Sequence, residues 1–106
     1  MAVYVDDANI QASVPNGNRV HTSRWCHLMA DTLPELEAFA RRLRLSPSWL
    51  QVKRSGVHYD LTAGKRRQAV ALGAVEVPAR NPDGIGLNPE WARVVAAACA
   101  QFEEAS

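Results

Sequence analysis

Three segments of the chain carry helix signals: two place apolar residues at helical spacing behind a capping residue, and one ends at Gly73, a residue type that commonly follows a helix. The first covers residues 33–44 and follows Thr32, which begins a capping-box pattern. The second runs from about residue 62 to residue 72. The third covers residues 88–104, with Asn88 as its cap. The pattern therefore predicts three helices, of which the last is the most regular.

Short runs of β-branched, aromatic and apolar residues between these helices predict three strands. The predicted strands are residues 2–5, 25–30 and 74–77. Residues 58–61 are either extended or form the lip of the second helix. Residues 8–23 are polar and include Pro15, so they predict a long loop or insertion, with room for a small hairpin at Asn16-Gly17.

Strands that alternate with helices are typical of α/β folds. We therefore expect a small sheet of three to four strands, at least partly parallel, packed with about three helices. A length of 106 residues fits a single globular domain over residues 1–106. The longest apolar run, residues 94–100, is far shorter than the ~20 residues of a membrane-spanning helix, so no membrane partner is expected.

Composition narrows the expected environment and partners. Twelve Lys and Arg against eleven Asp and Glu leave a net charge of +1, which is too small a field to attract nucleic acid non-specifically. The N-terminal MAVYVDD reaches two aspartates too early for a signal peptide. The two cysteines, Cys26 and Cys99, form no CxxC pair, so we expect a reduced, cytoplasmic protein.

Asp6 and Asp7 directly follow the first predicted strand and form the first candidate site. Ligands of open α/β sheets bind beyond the carboxyl ends of strands, where carboxylates serve as metal ligands or general bases. The alternative interpretation is that the two acids only open a loop, where aspartate is common.

His27 is a second candidate because it lies inside an apolar run. In a strand, its side chain shares a face with Trp25 and Met29. It is either a metal ligand or a core histidine whose ring nitrogens are satisfied by hydrogen bonds, for instance with Asp31. A structural zinc site is not expected, because Cys26 and His27 have no matching second pair.

The densest polar cluster is His58-Tyr59-Asp60. In an extended segment, His58 and Asp60 project to one side and Tyr59 to the other. A carboxylate beside an imidazole orients it, as general bases and metal-ligating histidines require. Lys65 and Arg66 follow in the first turns of a helix, where cations are unfavourable unless an anion compensates. They indicate either a phosphate-type ligand or a solvated outer face.

Taken together, four segments resemble the bacterial and bacteriophage family called domain of unknown function 4031. They are VYVDDA (3–8), RWCHLMAD (24–31), LPELEAFARRLRL (33–45) with Trp49 after it, and HYDLTAGKRRQAVALGAVEV (58–77). The resemblance leaves out residues 9–23, where the chain carries an apparent insertion, and the part after about residue 80. It implies no activity, but it implies that the polar segments belong to one recurring module.

We therefore favour a small intracellular enzyme that acts on a phosphate-containing or nucleic-acid substrate with a divalent metal as cofactor. The predicted catalytic residues are Asp6, Asp7, His58 and Asp60. The predicted metal ligands are Asp6, His27 and His58, and the predicted ligand-binding residues are Tyr59, Lys65 and Arg66. The alternative is a non-catalytic accessory module that binds a protein partner or a nucleotide through the same cleft. The choice between enzyme and module stays open at this stage.

Overall fold

The computed structural model describes residues 2–16 and 18–105, and for residues 12–16 and 21–23 it describes the backbone alone. The strands are β1 (Val3–Val5), β2 (Ile10–Asn16), β3 (Arg19–Ala30), β4 (Tyr59–Leu61) and β5 (Val75–Glu76). The helices are α1 (Leu33–Arg42), α2 (Ala63–Ala71), α3 (Pro89–Ala100) and the short α4 (Phe102–Ala105), and a 3-10 turn covers Pro47–Trp49.

The long strand β3 organises the sheet. Its residue Leu28 pairs with Val5 of β1 and with Tyr59 of β4, so these two strands lie antiparallel on opposite sides of β3. Strand β5 runs parallel to β1, whereas β2 pairs antiparallel with the first half of β3. The predicted α/β class with a partly parallel sheet is therefore confirmed, although the sheet has five strands rather than three to four.

The segment predicted as a loop over residues 8–23 is for most of its length a β-hairpin, longer than the small hairpin expected at Asn16-Gly17. Residues 10–16 and 19–25 pair as a β-hairpin, and β3 thus begins six residues before the strand predicted at residue 25. Ile10 is 52% and Val20 is 68% exposed. Neither of these two apolar residues is buried, so backbone pairing rather than their burial holds this part of the ribbon in register. The expected turn at Asn16-Gly17 includes Gly17, which lies outside the described residues.

The predicted helices are present, with shorter ends. Thr32 accepts a hydrogen bond from the amide of Glu35 at 3.4 Å and caps α1. Asn88 accepts a hydrogen bond from the amide of Glu90 at 2.9 Å and caps α3. The helix predicted over 88–104 is divided at Gln101, whose buried side chain donates to the Ala30 carbonyl at 2.9 Å.

Helices cover both faces of the sheet. On one face, the larger core cluster joins α1 and α2 to the strands through residues such as Leu28, Leu36 and Leu61. On the other face, Met29 packs in a second cluster with Trp91 and other residues of α3. Because alternate residues of β3 face opposite sides, His27 lies on the same side as Met29, toward α3. No helix in the described part of the chain has the length and apolarity that a membrane span requires.

Candidate metal centre

Strand register alone brings residues 6, 27 and 60 together. Val5 pairs with Leu28, so the next residue of the chain, Asp6, comes beside His27, and its amide donates to the His27 carbonyl at 3.3 Å. On the other side of β3, Asp60 pairs directly with His27. Directly paired residues of antiparallel strands place their side chains on the same face. His27 therefore has a carboxylate on each side.

Asp6 is buried and is held by His27 at two points. Its Oδ1 accepts the backbone amide of His27 and its Oδ2 accepts Nδ1 of the His27 ring, both at 2.7 Å. Only 1% of the Asp6 side chain is exposed, against 24% for His27. One carboxylate oxygen accepts the backbone amide, and the other accepts the ring N–H and so orients the imidazole. Nε2 is then the ring nitrogen that is free to bind a ligand.

His58 is fixed by its own turn. Its Nδ1 donates to the carbonyl oxygen of Gly56 at 2.9 Å, so Nε2 is again the nitrogen that remains available. Gly56 has φ +129°, and a Cβ at this position would lie 3.2 Å from Cε of Met29 and 3.4 Å from Cβ of Ala98. The turn that orients His58 therefore needs glycine both for its backbone conformation and for space.

The side chains of His27, His58 and Asp60 converge. Asp60 Oδ1 lies 3.4 Å from His58 Nε2, and the two imidazole rings meet edge to face with centroids 5.0 Å apart. One potential ligand atom from each of the three residues lies within 4.8 Å of the other two. Convergence of two histidines and one carboxylate is a donor set that divalent transition metals favour.

The neighbouring charges perturb two of these groups in opposite directions. The hydrogen bond with Asp6 raises the pKa of His27 above 6.5, although partial burial of the ring opposes this. The hydrogen bond with His58 lowers the pKa of Asp60 below 3.8, against the effect of its burial. Asp60 is therefore a carboxylate at neutral pH. It can bind a cation or accept a hydrogen bond from a protonated nitrogen.

The contact between His58 and Asp60 needs a proton or a cation between its two atoms. With Nδ1 of His58 donating to a carbonyl, a neutral His58 points the Nε2 lone pair at the Asp60 carboxylate. The contact is favourable only if Nε2 carries a second proton or if a cation lies between the two atoms. His27, oriented by Asp6, contributes a further nitrogen to the same place. This arrangement suits a metal ion.

An open cleft of about 410 Å³ borders the cluster. His27 and His58 contribute to its lining, together with Asp6, Ser55 and Arg80. The remaining lining residues are apolar or glycine: Ala8, Ile10, Met29, Ala79, Gly86, Leu87, Trp91 and Val95. Its volume lies within the range of small-molecule sites, roughly 300–1,000 Å³.

Of the predicted site residues, four come together and four do not. Asp6, His27, His58 and Asp60 come together. His27, His58 and Asp60 form the group that could hold a metal ion, and Asp6 accepts the hydrogen bond of the His27 ring nitrogen Nδ1. Asp7 instead accepts the amide of Ala79 at 2.8 Å. It thereby fastens the loop after β5 to the end of β1.

The other three residues make contacts elsewhere in the fold. Tyr59 is buried in the larger core cluster, where burial raises the pKa of its hydroxyl. Lys65 donates to the Leu43 carbonyl at 2.7 Å and so caps α1. Arg66 donates to the Asp6 carbonyl at 2.8 Å and to Glu76 at 3.1 Å. The ligand-binding roles of Tyr59, Lys65 and Arg66 stay predictions, and the proposals below do not use them.

Two residues of the site, Gly56 and Arg80, were not predicted from the sequence. Gly56 precedes His58 by two residues, and its signal was a lone glycine in a polar segment. Arg80 lies in the loop before α3, and only the fold of that loop shows that it borders the cleft.

Comparison with known proteins identifies the family but no activity. No curated protein and no solved structure matches the chain significantly. A family model matches residues 3–85, which include every residue of the cluster and all five strands. The chain therefore belongs to the family described as protein of unknown function (DUF4031).

Proposed function

We propose that this protein binds a divalent transition-metal ion through His27, His58 and Asp60, and that the ion is the centre of an enzyme acting on a phosphate-containing substrate. The observation that carries the proposal is the convergence of three ligand atoms within 4.8 Å, two of them on histidines that other groups already orient.

The distances suit a metal of this kind. With metal–ligand bonds of about 2.0–2.2 Å, two ligand atoms of a tetrahedral site lie about 3.4 Å apart. Nε2 of His58 and Oδ1 of Asp60 are 3.4 Å apart. The third ligand, from His27, lies within 4.8 Å of both and needs a movement of at most about 1.4 Å to reach the same spacing.

Supporting contacts of the expected type surround both histidines. A metal-ligating histidine usually donates its second ring nitrogen to a carboxylate or a backbone carbonyl, which fixes its tautomer. Asp6 provides the carboxylate for His27, and Gly56 provides the carbonyl for His58. Hydrogen bonds alone would also satisfy a core histidine, so the metal proposal depends on the three ligand atoms that converge beside the cleft.

Three protein ligands leave coordination positions for a substrate, as in catalytic rather than structural sites. Both histidines line the cleft, so those positions are reachable by a small molecule. An ion held there polarises a phosphoryl oxygen and lowers the pKa of a bound water, which is the chemistry of metal-assisted phosphate ester hydrolysis.

The metal half of the proposal is tested by titrating the EDTA-treated protein with Zn²⁺, Mn²⁺ and Co²⁺. We expect one equivalent to bind, with a visible Co²⁺ spectrum typical of low coordination number. At 100 times its dissociation constant, an ion stabilises the fold by about 2.7 kcal/mol. With an unfolding entropy of about 2.1 cal/mol/K per residue, this raises the Tm by about 12 °C.

Matched variants identify the ligands. H27Q, H58Q and D60N should each weaken binding by more than the ~10–100-fold that loss of a supporting contact costs. E104Q removes an exposed carboxylate far along the chain and should bind as the wild type does. If the three ligand variants bind metal with wild-type affinity, the ion lies elsewhere and the proposal is wrong.

The catalytic half is tested separately, with hydrolysis of an aryl phosphate by the metal-loaded protein. We expect turnover that disappears in EDTA and in D60N. Stoichiometric metal binding without turnover would refute catalysis on such esters and would favour the non-catalytic binding module.

A further inference from the structure

We propose that the cleft selects a small organic phosphate, with Arg80 binding the anionic group and the apolar wall binding its organic part. The inference rests on the proposed function, because the phosphate would lie between Arg80 and the metal ligands. It goes further in naming the specificity-determining residue and in excluding a nucleic-acid polymer.

Arg80 is the single permanent cation among the described residues that line the cleft. Within the described part of the chain, its guanidinium has no hydrogen bond or ion pair to any other side chain. Lys65 and Arg66 differ in this respect, because both are already bonded to backbone carbonyls. A guanidinium with free donors can bind two phosphate oxygens at once.

The loop that carries Arg80 is held in place from both sides. Arg80 and Leu87 pair across the loop, and the amide of Asn88 donates to the Ala79 carbonyl at 2.9 Å. Asp7 accepts the amide of Ala79 at 2.8 Å and so ties the loop to the residue after Asp6. Arg80 thus starts from a backbone of defined position, which reduces the entropy lost on binding an anion.

The remaining wall of the cleft is apolar and partly open to solvent. Ile10 is 52% exposed and Leu87 is 51% exposed, whereas Trp91 and Met29, which also line the cleft, are buried. Solvent-exposed aliphatic side chains beside a cation and two imidazoles suit a ligand with one charged end and one apolar end.

The charge distribution argues against a polymer. A protein that binds DNA or RNA neutralises several phosphates with Lys and Arg along a track. The cleft offers Arg80 and a volume of about 410 Å³, which accommodates one phosphate and a compact organic group. The net charge of +1 adds no general attraction for a polyanion.

The test compares four probes with the Zn²⁺-loaded protein by calorimetry: phenylphosphonate, methylphosphonate, benzoate and a single-stranded oligonucleotide. We expect phenylphosphonate to bind at least about 10-fold more tightly than methylphosphonate, since its ring is buried against the apolar wall. R80Q should weaken phenylphosphonate about 10-fold, the usual cost of a bond to a charged group, without changing Zn²⁺ affinity. R93Q is the matched control, because Arg93 is an exposed arginine of α3 that lines a different cavity.

The outcomes separate this inference from the function on which it rests. Zn²⁺ binding is measured first, in the absence of any phosphonate. If Zn²⁺ does not bind, the metal centre is refuted. With Zn²⁺ bound, equal affinity of R80Q and wild type overturns the role of Arg80. Equal affinity for the phenyl and methyl compounds overturns the role of the apolar wall. Tighter binding of a single-stranded oligonucleotide than of phenylphosphonate, or equal binding of benzoate, overturns the small organic phosphate as the ligand class.

Discussion

Replacing Asp6 with asparagine changes one atom of the contact that orients His27, and so tests whether that contact serves a metal. In the wild type, Oδ1 of Asp6 accepts the amide of His27 and Oδ2 accepts the ring Nδ1. Asparagine preserves the first bond and presents an NH₂ group to Nδ1. The ring then satisfies the contact only by turning Nδ1 into an acceptor, which moves the proton of the neutral imidazole to Nε2.

The magnitude follows from that tautomer change. A protonated Nε2 has no lone pair for a metal, so binding in D6N requires the less stable tautomer. Loss of such supporting contacts costs metal affinity about 10–100-fold, or about 1.4–2.7 kcal/mol. Removal of the carboxylate also removes the cause of the raised pKa of His27, so that pKa should fall.

The assay combines calorimetry with NMR of the histidine ring nitrogens in wild type, D6N and D7N. D7N is the matched control: it removes an adjacent negative charge, while its amide oxygen still accepts the Ala79 amide. We expect the Nε2–H tautomer of His27 and weaker Zn²⁺ binding in D6N alone. Wild-type affinity in D6N, with the tautomer unchanged, would refute the reasoning that links Asp6 to the metal.

Three further predictions follow from the same contacts. G56A should lower the free energy of unfolding by about 1–3 kcal/mol in urea titrations, because φ +129° is strained for alanine and its Cβ meets Met29; unchanged stability would contradict it. K65M should cost about 1–2 kcal/mol through the lost bond to the Leu43 carbonyl and leave phenylphosphonate binding unchanged; weaker binding at unchanged stability would instead support the anion-binding role. In EDTA, the raised pKa of His27 stabilises the fold below pH 6.5, and this stabilisation disappears as the pH rises through the pKa of His27 in the folded protein. The lowered pKa of Asp60 stabilises the fold above pH 3.8, and this stabilisation disappears as the pH falls through the pKa of Asp60 in the folded protein. Thermal melts of wild type and H27Q over pH 4–9 should therefore show a steeper alkaline loss in wild type, and equal slopes would refute the assignment to His27.

The helices, and the face of the sheet to which a strand residue points, could be predicted from the sequence because both depend on local periodicity. The stripe that begins at Trp91 predicted α3, and the alternation around His27 correctly placed it on the face of Met29. The β2–β3 hairpin was not accessible in this way. Its length depends on backbone pairing between the two strands, and its apolar residues Ile10 and Val20 lie in solvent rather than in the core.

The roles within the site depended on strand register, which local patterns do not encode. Asp6 looked like a ligand because it ends a strand, but the pairing of Val5 with Leu28 directs its carboxylate to His27. Asp60 is the carboxylate of the proposed metal centre because it pairs directly with His27. A shift of one residue in either pairing would move these side chains to the opposite face and abolish the site.

The same register means that a metal ion at the proposed centre would also stabilise the pairing of two strands. An ion held by His27, His58 and Asp60 joins β3 to β4, a strand of three residues whose pairing covers only residues 26–28 of β3. Short edge strands open locally at low free energy, so a ligand that bridges them should suppress that opening. We therefore expect Zn²⁺ to slow amide hydrogen exchange in β4 and in the paired part of β3 by about 100-fold at 100 times its dissociation constant. At Ala40 of α1, exchange through local openings that leave the three ligands in place should not slow, whereas exchange through global unfolding should slow by the same factor. Uniform slowing throughout the chain would show that these strands open only with global unfolding, and absence of slowing in β4 would place the ion away from Asp60.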